Sequence, residues 1–176
     1  MNYLDGKHGL TATTIRDLIT YDPDTGIATW KVSISNRKPV GAVVGDETKE
    51  TARGGSRRRV GIFGHRYLFH RVIWLYMTGE WPGEHEIDHI NNDSTDNRWT
   101  NLRLASPHQN QGNKRRSKHN TSGHKGVSLH KSGKWRARIS TRSGEIGLGL
   151  FDTAEEAAEA YAAGARRFFG EFARAA

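Results

Sequence analysis

The sequence predicts an α+β protein of two small modules, each a short antiparallel sheet backed by a helix. Two stretches carry that prediction. From Glu86 to Asn113, an apolar strand-length segment, an Asn-rich loop, an alternating segment and a helix start follow in order. From Gly126 to Phe169, three alternating segments divided by Ser-Gly turns lead into an amphipathic helix. The charge adds a third observation. The chain is formally +8, yet residues 114–143 hold ten Lys and Arg and no Asp or Glu, so everything else sums to about −2.

The composition sets the bounds. A chain of 176 residues is permitted one domain or two small ones, and 35% hydrophobic with 26% charged residues gives modest cores. Cysteine is absent, which excludes disulfides, iron–sulfur clusters and thiolate zinc sites. No apolar run reaches the length of a membrane span, and MNYLDGKHGL lacks a signal-peptide core, so the expected location is cytoplasmic. A pI near 10.0 suggests a polyanionic partner.

In chain order, residues 1–9 read as frayed, and Leu10 to Tyr21 reads as a short helix with Ile15, Leu18 and Ile19 as its apolar face. Asp22-Pro23-Asp24-Thr25-Gly26 is a turn, and Ile27 to Val32 a strand with Trp30 buried. Ser33 to Ser56 reads as a loop or loose hairpin. Arg57 to Ile62 is a strand, and Gly64-His65 turns it into Tyr67-Leu68. His70 to Met77 is a buried helix ending near Gly79, with His70 and Arg71 expected to meet solvent or a capping partner, the alternative being a part in a phosphate or metal site.

Within EIDHINNDSTDNRWTNLRLASPHQNQGN, Ile87 and Ile90 flank the Asp88-His89 pair in a strand. Asn91 to Ser94 is turn chemistry, and Leu102 and Leu104 alternate with Arg103 and Ala105. Ser106-Pro107 opens a helix, Ser at the N-cap and Pro at the first position. One carboxylate, one imidazole and several carboxamides suit metal-assisted phosphodiester cleavage. A hard cation takes oxygen ligands from Asp and Asn, and a neutral His takes a proton from water. Neighbours on a strand point to opposite faces, so Asp88 and His89 share one site only if the strand end twists, which is the expectation, or if metal and water lie on either side. Asn97 and Asn101 each suit a loop-capping role.

Asp88-His89, Asn97, Asn101-Leu102-Arg103 and Asn110 together resemble the HNH endonucleases with the ββα-metal motif, in the branch that opens on Asp-His and ends on Asn. The resemblance implies that Asp88 and Asn110 bind one divalent cation, Mg²⁺ or Mn²⁺. It implies that His89 is the general base, and the nine-residue step from Asn101 to Asn110 favours Asn101 as the residue steadying its loop.

Residues 114–122 read as a basic linker or helix extension. Beyond them Val127, Leu129, Trp135, Ala137, Ile139, Ile146, Leu148 and Leu150 fall on one sheet face, and Ser128, His130, Lys134, Arg136, Arg138 and Ser140 on the other. Thr153 with Glu156 forms a capping box for a helix over Ala154 to Phe169, whose covering side is Ala154, Ala158, Tyr161, Ala165 and Phe168, with Gly164 allowing close approach and Gly170 ending it. Residues 122–172 resemble the AP-two, or ethylene-response-factor, DNA-binding domain. That implies a sheet able to enter the major groove of double-stranded DNA, with Lys125, His130, Lys134, Arg136 and Arg138 in contact. Ser128, Ser132, Ser140 and Gly147 stand where the plant domains present Arg or Trp to bases, so their sequence preference does not carry over.

The resulting division is an accessory region over 1–56, an HNH domain over 57–116 and a DNA-binding domain over 117–176. Since each module has its own apolar face and helix cover, the nuclease domain is expected to fold without residues 117–176. The reading is a metal-dependent DNA endonuclease of the homing type from a bacterial or phage-infected cell, with nicking expected and a double-strand break left open. The rival is a DNA-binding regulator on the same folds without catalysis; RNA as substrate is weaker. No protein partner is implied, and the oligomeric state is open.

Overall fold

A computed structural model describes residues 7–36, 38–50, 55–117, 119–141 and 143–174. The chain divides into two compact units, one ending at Leu104 and the other beginning at Ala105. No helix of the described residues is long and apolar enough to cross a membrane.

In the first unit, α1 (Ala12–Leu18) is capped by Thr11, whose side chain accepts from Thr14 N. It stops earlier than its apolar spacing predicts. Ile19-Thr20-Tyr21 is β-branched and aromatic, and becomes β1 (Ile19–Asp22), paired in antiparallel register with β2 (Ile27–Trp30). Trp30, 1% exposed, lies at the end of that hairpin. Segment 42–44 returns along β2 through Trp30 N to Ala42 O and Val44 N to Ala28 O. The expected loose hairpin takes the form of β3 (Asp46–Glu50) against β4 (Gly55–Ile62), while the expectations for residues 1–6 and 51–54 lie outside the described residues. β5 (His65–Leu68) completes this sheet in the order β3-β4-β5. α2 (Phe69–Thr78) follows, and Gly79 ends it in the left-handed region at φ 83° with its N–H on Leu75 O.

β6 (Glu86–His89) and β7 (Leu102–Ala105) form a two-stranded sheet, and Ile90 N donates to Asn101 O across the loop that joins them. Ile87 and Leu102 belong to the same core as Ile19, Ala28 and Trp30. The N-terminal hairpin is therefore built into one core with the Asp88-His89 strand.

The second unit opens on α3 (Pro107–Asn113). Ser106 caps it in a capping box with Gln109, as the Ser-Pro signal predicts. The sheet order is β10-β9-β8, from β8 (Val127–Leu129), β9 (Trp135–Thr141) and β10 (Gly144–Phe151), all antiparallel. α4 (Ala154–Phe169) covers it and carries the expected Thr153–Glu156 box. Its buried line is Ala157, Tyr161, Ala165 and Phe169: Tyr161 and Ala165 are as expected, Ala157 and Phe169 lie one step from the expected Ala158 and Phe168, and Ala154 is only half-buried. A Cβ on Gly164 would sit 2.9 Å from Leu148 Cδ1, so the helix does lie close there. A register shift between Gly147 and Gly149 reverses the facing beyond it: Phe151 joins the core, and Leu150 is 46% exposed.

α3 also packs on α4. A Cβ on Gly112 would meet the Phe169 side chain at 2.5 Å, and the His108 ring lies 5.1 Å from that of Phe169. Arg174 N donates to Gly112 O at 3.2 Å. The helix that the sequence assigns to the nuclease is thus part of the C-terminal unit.

Candidate active site

The end of β6 buries two functional groups side by side in sequence, Asp88 at 5% and His89 at 8% exposure. They take separate partners. Asp88 Oδ2 accepts from Arg103 Nε and Nη2, both at 2.9 Å, so β7 supplies the counter-ion for the β6 carboxylate. His89 Nε2 lies 3.3 Å from Asn97 Oδ1. The His70 ring meets the His89 ring edge-on, with centroids 5.1 Å apart and planes at 85°.

The joining loop is laced by carboxamides. Asn101 Oδ1 accepts from Asn91 N at 3.0 Å, while Nδ2 donates to Asn91 Oδ1 at 3.0 Å and to Asp96 O at 2.7 Å. Asp96 receives Asn91 Nδ2 and both Nε and Nη2 of Arg98. The Arg98 guanidinium is the largest influence that holds the Asp96 carboxyl down to about 2. Asn92 takes φ 60°, a backbone state that Asn tolerates.

Burial lowers the basicity of His89, and the Asn97 contact followed by the Asp88 charge offset part of that. An imidazole so placed is neutral near neutral pH and able to accept a proton. His70 is also buried, at 8% exposure, which differs from the expected solvent contact. It packs inward because it opens α2 on the side that faces β6. Desolvation, then His89, Arg57 and Arg71, push its pKa down to about 3.

That shift has a stability consequence. Between about 6.5 and about 3 the unfolded chain protonates His70 and the folded chain does not, so stability is full above that window and is lost as pH falls through it. Unfolding midpoints measured between about pH 6 and 4 are expected to fall more steeply for the wild type than for His70→Gln. Parallel curves would assign the loss to other groups.

Arg71 has a structural post. Its guanidinium donates to His85 O at 2.8 Å and Gly83 O at 2.7 Å and stacks 5.2 Å over Trp81, fixing the turn that delivers β6. Asn110 lies on α3 and is counted with the second unit. Among the described residues no group of three or more His, Cys, Asp or Glu is clustered as a metal site.

In the second unit the residues expected to meet DNA divide. Lys125 is turned inward: Nζ donates to Gly112 O at 2.7 Å and Arg174 O at 3.2 Å, near the Tyr161 ring. Burial, then Arg174 and Lys114, lower its pKa to about 8. The reason is local. The last carbonyls of α3 lack intrahelical partners, and Lys125 satisfies one of them. His130 is half-buried with Nδ1 2.9 Å from Ser132 Oγ, Lys134 pairs with Asp152 at 2.9 Å, and Arg138 pairs with Glu145 at 2.7 Å. Such exposed pairs are weak and exchangeable for phosphate. Arg136 Nε and Ser128 Oγ, opposite each other in register, are buried without a hydrogen-bond partner.

Residues 119–124 form a knot rather than a plain linker. Asn120 Nδ2 donates to His124 O and Val127 O, and Ser122 Oγ donates to Val127 O. Beside it a cleft of about 400 Å³ is lined by Arg115, Arg116, His119, Ser128 and Arg138, with Glu145 as its acid. The signals available in sequence were the Asn-Thr-Ser-Gly turn residues of that segment.

Residues 67–111 match the family model described as HNH endonuclease. An Acanthamoeba polyphaga mimivirus protein described as an uncharacterized HNH endonuclease is 35% identical over 105 residues, 59% of this chain; the chain spans about half of that relative, 54%. Protein 3.8 of Escherichia phage T7 is 34% identical over 106 residues, 60% of this chain and 87% of that protein. APETALA2-like protein 2 of rice (Oryza sativa subsp. indica) is 54% identical over 48 residues, 26% of this chain and 11% of that protein. A solved structure titled "DNA binding and cleavage by the HNH homing endonuclease I-HmuI" covers 50% of this chain and 46% of its own, at 17% identity and a TM-score of 0.34, a likeness too low to carry further.

Proposed function

The chain belongs to the HNH endonuclease family, and from that premise we propose that it hydrolyses phosphodiester bonds of double-stranded DNA with a divalent cation, cutting one strand at a time, in the service of a mobile phage or viral element. The observation that carries the reading is the buried Asp88-His89 pair at the end of β6, beneath a loop that Asn101 laces through three hydrogen bonds.

His89 is the general base. Its imidazole, kept neutral by burial, takes the proton of the attacking water. Asn101 holds the loop that closes over it. Asp88 and Asn110 are the proposed cation ligands, and their donor chemistry fits: a carboxylate and a carboxamide offer oxygen, and the chain has no thiol to favour a softer ion. Two protein ligands leave room for water and phosphate oxygens, the mode in which Mg²⁺ usually binds. When bound, the cation neutralises charge on the phosphate and on the leaving 3′ oxygen. Arg103 pairs with the Asp88 carboxylate at 2.9 Å.

The second unit is the proposed DNA reader, an AP-two-type sheet that offers His130, Lys134, Arg136 and Arg138; Lys125 is spent inside the unit and leaves that set. The short match to the rice protein supports this assignment. The domain with the nuclease motif, residues 57–116, is proposed as a functional division that ends with α3.

A supercoiled-plasmid assay tests the whole. Nicked circles are expected with Mg²⁺ or Mn²⁺ and none with excess chelator. Equal cutting in chelator would overturn the metal requirement, and binding without any cutting would favour the regulator.

A further inference from the structure

We infer that the N-terminal β1–β2 hairpin orients the general base, through a relay in which Tyr21 holds the main chain of Asn97 and the Asn97 side chain fixes the proton on His89. The inference rests on His89 being the base, and it gives a function to a hairpin outside the matched residues 67–111.

The first link is at the imidazole. Asn97 is 2% exposed, and its carboxamide has a determined direction because Nδ2 donates to Thr95 O at 3.0 Å. The oxygen is therefore the atom that faces His89 Nε2, at 3.3 Å. A carboxamide oxygen only accepts, so in the neutral ring Nε2 carries the hydrogen and Nδ1 carries the basic lone pair. The His70 ring, edge-on at 5.1 Å, closes the side from which His89 could swing. A base whose proton sat on the wrong nitrogen would be present but unable to act. That makes Asn97 a positioning residue rather than one that meets DNA.

The second link is the hairpin. Tyr21 Oη donates to Asn97 O at 2.7 Å, a buried bond between residues 76 apart. Trp99 N donates to Pro23 O at 2.9 Å. At Gly26, φ +72°, a Cβ would lie 2.5 Å from Arg98 N and 2.6 Å from Asn97 C. One hairpin thus grips three successive residues, 97 to 99, of the loop over the base. The turn is itself stiff. Asp22 accepts from Asp24 N and from Thr25 Oγ1, and Gly26 N donates to Asp22 O. A hairpin needed only for burial would not require a glycine pressed against that loop.

The test compares wild type, Asn97→Ala and Tyr21→Phe in the full chain, by the nitrogen shifts of the His89 ring in ¹⁵N-histidine-labelled protein and by single-turnover nicking. The wild-type ring is expected as the Nε2–H form. Asn97→Ala is expected to mix the two neutral forms and to lower kcat by about 10- to 100-fold, part of the factor a general base supplies, with KM within about 2-fold. Tyr21→Phe keeps the ring and removes only the hydroxyl, and is expected to do both to a smaller extent. The labelled spectrum is readable whether or not DNA is cut, so it separates this relay from the nuclease reading. Wild-type ring shifts in Asn97→Ala would overturn the relay while leaving His89 as base. Wild-type shifts and turnover in Tyr21→Phe would remove the hairpin from it. Should Asn97→Ala fail to fold, Tyr21→Phe carries the test alone.

Discussion

Replacing His89 with alanine is expected to abolish cleavage and leave DNA affinity near the wild-type value. A positioned general base contributes about 10²–10⁴-fold, and the loss reaches the upper part of that range if the attacking water is also misplaced. Affinity should hold because the residues proposed to meet DNA stand elsewhere, on the outer face of β8–β10. The side chain is buried, so the variant opens a small void beside His70 and Asn97 and loses some stability. His89→Gln, which fills more of that space without an imidazole, controls for it. Single-turnover nicking measured beside equilibrium binding decides the matter, since a variant that cuts at the wild-type rate removes His89 from the chemistry.

Deleting residues 117–176 is expected to eliminate turnover as well as tight binding. The sequence expectation was a nuclease domain that survives the cut, because each module has its own apolar face. The structure changes that expectation. Gly112 packs on Phe169, its carbonyl accepts from Lys125 Nζ and Arg174 N, and the His108 ring lies against Phe169. Without residues 117–176, α3 is deprived of those partners, and a seven-residue helix has little stability by itself. The proposed ligand Asn110 sits on that helix. A truncated protein should therefore bind metal poorly and fail to nick even at DNA concentrations that compensate for weaker binding. Changing Arg136 and Arg138 together to alanine provides the contrast. It should weaken binding, lower the salt slope by about 0.9 for each phosphate no longer neutralised, and leave turnover on saturated DNA intact. Saturated turnover in the truncated protein would show that α3 holds its place without the sheet and α4.

Much of this protein was legible in the sequence where the cause is local. Ser106-Pro107 and Thr153 with Glu156 specify helix starts because a cap bonds within three residues of itself. Gly79 marks a helix end because a left-handed backbone suits a residue without Cβ. The Asp88-His89 pair, the carboxamide loop and the three alternating strands could be read from type and spacing. Spacing reports which face a side chain occupies and leaves its partner undetermined. Only the tertiary structure decided that Lys125 turns inward, since its direction depends on which helix carbonyl is left without a bond. A one-residue register shift in β10 reversed Leu150 and Phe151 against their sequence parity. The share of α3 in the second unit came from contact with Phe169, more than fifty residues away. The hold of Tyr21 on Asn97 joins residues with no local relation at all, because a hydrogen bond needs proximity in space and leaves no periodic trace in the chain.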